Sequence, residues 1–190
     1  VNEAKTRRSD AQRNRDAVLA TAIRLLAADP DASMQEIAGQ SGVGRTTVYR
    51  HFPTREHLLA ALVDLVVTEQ RAIITTATAV HAAASEVFAA IGPEIIRVGE
   101  RYRFLDTRPV VVSQAPLRTP AADEPLLTWL AAAQRRGELR KDFSPAWMYA
   151  MIHGLSRAAN EEVLAGRTTA EEAGILLGRT FVAAFTGSTS

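Results

Sequence analysis

There is no cysteine among the 190 residues, which excludes a disulfide framework and any thiolate metal site. A reducing compartment, the cytoplasm, fits that absence. Histidine is scarce as well. His51, His57, His81 and His153 are the four present, and none stands at a spacing that makes a metal site, so no metal is expected. The longest apolar candidate, residues 60–67, is broken by Asp64 and falls far short of the roughly 18 residues a membrane span needs, so no membrane partner is expected. The basic start lacks the apolar stretch of a secretory signal. Strand signals are nearly absent. Enzyme signatures are missing too: Ser41-Gly42-Val43-Gly44-Arg45-Thr46-Thr47 lacks the Gly-Lys-Ser/Thr ending of a phosphate loop. Glu161-Glu162 and Glu171-Glu172 sit at helix ends, where solvation explains them. Neither catalysis nor a cofactor is expected.

What remains is 47% hydrophobic and 23% charged, the balance of a folded chain forming one large domain or two small ones sharing a helix. The net charge of +1 conceals an asymmetry. Lys5, Arg7, Arg8, Arg13 and Arg15 face only Glu3 and Asp10 in the first 15 residues, while residues 58–190 are slightly acidic. The basic arm lies where phosphate neutralisation would use it, beside the motif described next.

The chain reads as helix almost throughout. Val18, Leu19, Ala22, Ile23 and Leu26 recur at helical spacing and predict a first helix over 11–28. Asp29-Pro30-Asp31 ends it, because proline disfavours helical geometry in the residue before it. Ser33-Met34-Gln35-Glu36 is a capping box that opens a short helix stopping near Gln40. Gly42 suits the left-handed turn that follows, and a second short helix covers 44–51. Pro53 stops that helix, and Thr54 caps a long one running into the late seventies with Leu58, Leu59, Leu62, Leu65 and Val66. A helix over 82–100 is kinked or split at Gly92-Pro93. Pro109, Pro116, Pro120 and Pro125 predict a loop over 106–125 with room for a short helix. The last helices cover 124–136 up to Gly137, 145–165 behind the cap Ser144, and 170–185 behind a second capping box, Thr169 to Glu172.

Two short helices joined at a glycine turn, with a third starting at once, form a helix-turn-helix, which sets one helix into the DNA major groove. Eight residues at about 1.5 Å each match a groove about 12 Å wide. Arg45 in the first turn suits a bidentate contact to guanine, and Thr46 and Thr47 suit a base edge, a thymine methyl or a phosphate. Tyr49 and His51 lie on different flanks, so one reaches bases while the other bonds a phosphate. Gln35 in the preceding helix suits an adenine or a phosphate, and Arg55, opening the next helix, suits another phosphate. Val43, Val48 and Phe52 supply the apolar anchors.

The stretch Ile37-Ala38, Gly42-Val43, Thr47-Val48-Tyr49-Arg50-His51-Phe52-Pro53-Thr54-Arg55-Glu56 and Leu58-Leu59 strongly resembles the DNA-binding domain of TetR-family transcriptional regulators. The resemblance covers about residues 11–65, with arginine at position 55 where the family more often has lysine. It implies an all-α homodimer of about nine helices, whose N-terminal three-helix domain binds a palindromic operator in double-stranded DNA. The domains would be 1–57, the basic arm and DNA-binding head, and 58–190, a helical effector-binding and dimerisation domain. Operator contacts are implied at Gln35, Arg45, Thr46, Thr47, Tyr49, His51 and Arg55, and dimer pairing through the last two long helices.

The small-molecule site carries no motif. Bulky residues on the middle helices, Phe88, Tyr102, Phe104, Trp129, Trp147, Met148, Met151 and His153, suggest an apolar or aromatic effector. The reading is a ligand-responsive, cytoplasmic regulator, with repression as the expectation. A transcriptional activator of the same fold, or a helical interaction module that binds no DNA, are the alternatives.

Overall fold

The computed structural model describes residues 2–105 and 124–187, with side chains from residue 9 onward. The predicted loop over 106–125 lies almost wholly outside these residues, as do the side chains of Lys5, Arg7 and Arg8. The described residues form α1 (Asn2–Ala28), α2 (Met34–Gln40), α3 (Arg45–His51), α4 (Arg55–Val80), α5 (Ala84–Arg101), a single 3-10 turn (Arg103–Leu105), α6 (Pro125–Arg136), α7 (Pro145–Leu164) and α8 (Ala170–Phe185). No strand occurs among them, and none of their helices is long and apolar enough to cross a membrane.

Two expectations change. The first helix begins at Asn2 rather than near Ala11, because residues 2–10 contain neither glycine nor proline and favour helix by propensity without an apolar stripe. The fifth helix is not split at Pro93, which lies inside it; the missing proline N–H leaves the Ala89 carbonyl without its helical donor.

The chain divides into two compact units, and the division falls within α4 between Val66 and Val67. The first holds α1, α2, α3, the start of α4 and the 3-10 turn. Val18, Leu19, Ala22 and Leu26 of α1 are buried there, as are Ile37, Ala38, Val48, Phe52, Leu58 and Leu62. The first capping box is formed: the Glu36 amide donates to Ser33 Oγ at 3.2 Å, and the Ser33 amide donates to the Glu36 carboxylate at 2.6 Å. Each box satisfies backbone donors that a helix start leaves open.

The second unit holds the rest of α4 with α5, α6, α7 and α8. Phe88 sits at its centre, 5.8 Å from Phe181 and 5.7 Å from Phe185 between ring centroids. Ile91, Ile96, Leu126, Leu130, Met148, Ile152 and Leu177 complete this core. Helices α5 and α8 meet backbone to backbone, since a Cβ on Gly92 would lie 2.5 Å from the Gly174 carbonyl oxygen. Glycine is required on both sides of that crossing because no side chain fits between the chains. The second capping box is also formed, with the Glu172 amide donating to Thr169 Oγ1 at 3.2 Å.

Candidate nucleic-acid interface

The turn between α2 and α3 is built by local bonds. Ser41 Oγ donates to the Ala38 carbonyl at 3.0 Å and accepts from the Val43 amide at 3.2 Å, and Gly42 takes a φ of +70°. Gly44 then caps α3 through its carbonyl, which accepts from the Thr47 and Val48 amides. Val48 and Phe52 are buried, and this anchoring decides which face of α3 turns outward. Arg45, Thr46, Tyr49 and Arg50 are exposed, Thr47 is half-buried, and Gln35 is exposed on α2. Tyr49 is 41% exposed, more than a core tyrosine would be, so its ring stands on the outer face of α3.

Cations on α1 support this head. Arg24 donates to the Gln40 side chain at 3.0 Å, linking α1 to the end of α2. The Arg15 guanidinium lies 5.7 Å from the centre of the Phe52 ring, a cation–π distance. One member of the basic arm therefore braces the motif from behind.

Two residues sit differently from what the sequence implied. Arg55 opens α4, but its guanidinium turns back to donate to the Ala32 carbonyl and, at 2.6 Å, to the Pro30 carbonyl. These carbonyls belong to the connection after α1. Arg55 thus clamps that connection, and its remaining N–H groups are what a phosphate could use. His51 is half-buried, and its Nε2 is buried without a hydrogen-bond partner among the described residues. As placed, that nitrogen is turned away from the surface that Arg45 and Tyr49 share. Arg50 is exposed in the last turn of α3, a cation four residues from Thr46 on the same short helix.

The residues proposed for the small-molecule site fall in both units. Phe88 and Met148 are fully buried in the second unit, and Trp129 meets Phe88 edge-on at 5.4 Å. Met151 and His153 are half-buried on α7. Tyr102 and Phe104 belong to the first unit and pair with each other at 6.3 Å. Trp147 is 59% exposed. Burial holds the His153 imidazole below its ordinary proton affinity, so it stays neutral at physiological pH. Two neighbours were missed: Tyr149, whose ring stacks edge-on to His153 at 4.4 Å, and Glu124, a buried acid at the start of α6. The four-residue spacing of Tyr149 and His153 on one helix was legible in the sequence. The described residues hold no cluster of His, Cys, Asp and Glu that would bind a metal.

Residues 18–62 match the family described as bacterial regulatory proteins, tetR family. Over 152 residues the chain is 28% identical to the HTH-type transcriptional repressor LfrR of Mycolicibacterium smegmatis, covering 79% of each protein. The fold is similar to the TetR-like regulator LfrR from Mycobacterium smegmatis in complex with proflavine, at 23% identity and a TM-score of 0.67, over 93% of this chain and 98% of that one. It is also similar to SmeT, the repressor of the Stenotrophomonas maltophilia multidrug efflux pump SmeDEF. There the TM-score is 0.71 at 18% identity, over 92% of this chain and 91% of that one.

Proposed function

We propose that the chain is a ligand-responsive transcriptional repressor of the TetR family that binds a palindromic operator as a homodimer, a reading supported by the match of residues 18–62 to the tetR family of bacterial regulatory proteins. The observation that carries the reading is α3, a short helix anchored by buried Val48 and Phe52 that turns Arg45, Thr46 and Tyr49 outward together. A rigid scaffold behind an exposed polar helix is what base reading needs, because groove contacts tolerate little play. Arg45, Thr46, Thr47 and Gln35 read or flank bases, Tyr49 and His51 serve bases or phosphate, and Arg55 joins phosphate binding to its structural clamp.

Dimerisation runs through α7 and α8. Trp147 and Leu164 on α7 and Ile175 and Leu176 on α8 are each about half exposed or more, between 49% and 59%. These two helices pack on each other, so a second copy would cover their apolar outer residues and form a four-helix bundle. Two-fold symmetry then sets the recognition helices about 34–36 Å apart, one helical turn of DNA. A small apolar or aromatic molecule bound among α5, α6 and α7 favours a different spacing and releases the operator by linkage. The proflavine held by LfrR supports an aromatic effector.

Selection of duplexes from a random pool, followed by titration of the winner at two salt concentrations, tests this. A palindromic winner bound far above random DNA is the expected result. Weak, salt-sensitive binding with no enriched sequence would leave a helical interaction module as the reading. Whether the protein represses or activates is read by placing the operator upstream or downstream of a reporter promoter start.

A further inference from the structure

We propose that Arg55, with Arg24, is a positioning residue for base reading by Gln35: the two arginines hold α2 at its two ends and so set where Gln35 meets the duplex. This role rests on the operator-binding reading above and adds which residues fix one of its base preferences.

Helix α2 is thinly anchored. Of its seven residues, Met34–Gln40, the buried ones are Ile37 and Ala38. Two adjacent side chains pin the middle of a helix of about two turns and leave its ends free to tilt. Gln35 is exposed in the first turn, so it moves with any tilt of that end. The peptide unit just ahead of α2 is held from both sides. Its carbonyl, that of Ala32, accepts from Arg55 Nη1, and its N–H, that of Ser33, donates to the Glu36 carboxylate at 2.6 Å. Arg55 Nη2 donates to the Pro30 carbonyl, so one guanidinium spans two carbonyls of the connection. Leu58 and Leu59, buried just after Arg55, fix the start of α4 from which that side chain reaches back. At the far end of α2, Arg24 Nη2 donates to Gln40 Oε1 at 3.0 Å.

The fork matters more than the charge. A guanidinium presents its N–H groups in one rigid plane, whereas an ammonium is a point donor on a flexible stem. Lysine at position 55 would keep the charge and give up the grip on two carbonyls. A glutamine reads adenine through paired bonds to N6 and N7, and such a contact works only within about 0.5 Å and about 10–20° of its productive geometry. Loosening the start of α2 therefore removes the preference at that base pair. The pairs read by α3 keep theirs, because α3 has its own anchors in Val48 and Phe52.

The test repeats the duplex selection with the purified full chain and with Gln35→Ala, Arg55→Lys, Arg55→Met and Arg24→Met, and titrates each against salt. Gln35→Ala identifies the base pair that Gln35 reads, by where preference drops. The expected result is that Arg55→Lys and Arg24→Met lose about fivefold or more of the discrimination at that same pair, the scale of one base contact. Preferences elsewhere stay, and Arg55→Lys keeps the wild-type salt slope because its charge is unchanged. A phosphate contact alone gives another pattern: Arg55→Met makes the slope shallower by about one while every base preference is kept, and that pattern overturns the proposal. Equal loss at all base pairs in step with a lower Tm marks mere destabilisation and overturns it too, as does a Gln35→Ala profile identical to wild type. Should the Arg55 variants fail to fold, Arg24→Met decides: a loss confined to the Gln35 base pair supports the clamp, and an unchanged profile overturns it. No enriched sequence with the wild type removes the operator-binding reading and the clamp with it. An enriched palindrome that Arg55→Lys reads as the wild type does overturns the clamp alone.

Discussion

Gly174→Ala adds one methyl group at the tightest helix crossing in the second unit. The new Cβ would lie 2.6 Å from the Pro93 Cα and 3.2 Å from its nitrogen, where carbon atoms prefer about 3.5–4.0 Å. Both neighbours are backbone, so no side chain can swing aside. Helices α5 and α8 must separate by about 1 Å, and a gap of that size forfeits a quarter to a half of each dispersion contact it opens. Those contacts include Phe88 against Phe181 and Phe185. Overpacking of this kind costs about 1–3 kcal/mol, and the Tm of a domain this size falls roughly 2–4 °C for each kcal/mol. Thermal unfolding by circular dichroism, at fixed protein concentration, should show a drop of several degrees. Gly39→Ala is the counter-test: nothing lies within 4 Å of its added Cβ and the residue is helical, so a gain of up to about 1 kcal/mol is expected from helix propensity. A Gly174→Ala protein that melts with the wild type would refute the backbone crossing and the rigidity of the α5–α8 seam inferred from it.

Arg45→Ala should cost about 1–3 kcal/mol in operator binding and relax preference at one base pair; unchanged affinity in a gel-shift titration would remove Arg45 from the base-reading set. Leu176→Asp places a charge on the outer face of α8 and should yield monomers in sedimentation with loss of palindrome binding, whereas an intact dimer would move the interface elsewhere. The pH dependence follows from His153. Burial lowers its folded proton affinity below the ordinary value of 6.5, so on acidification the unfolded chain takes up the proton first. The stabilisation is therefore complete above about pH 6.5 and lost as pH falls below it. His153→Asn should shrink the Tm difference between about pH 7.5 and about pH 5.5, and an equal difference in both proteins would contradict the sign.

Local chemistry carried most of the helical boundaries. The boxes at Ser33–Glu36 and Thr169–Glu172 form as written, because caps depend on residues three positions apart and on nothing distant. Gly42 and Gly137 take the left-handed conformation at helix ends for the same reason. The start of α1 was missed because amphipathic period, not propensity, served as the signal, and residues 2–10 have helix-favouring side chains without an apolar stripe.

The sites divide along the same line. An exposed Arg45, Thr46 and Tyr49 over a buried Val48 and Phe52 follow from the periodicity of a single short helix, so the sequence by itself determined that face and its resemblance to the TetR family. The turn of Arg55 back onto the Pro30 and Ala32 carbonyls joins positions more than twenty residues apart, and no local rule anticipates it. Tyr102 and Phe104 looked equivalent to Phe88 and Trp129 by residue type, and only the path of the chain assigned them to the first unit. The pairing of Glu124 with Arg71, and the glycine crossing of α5 with α8, were likewise decided by tertiary structure. Each depends on which helices meet, and helix packing is set by the summed burial of a whole core rather than by any short stretch of sequence.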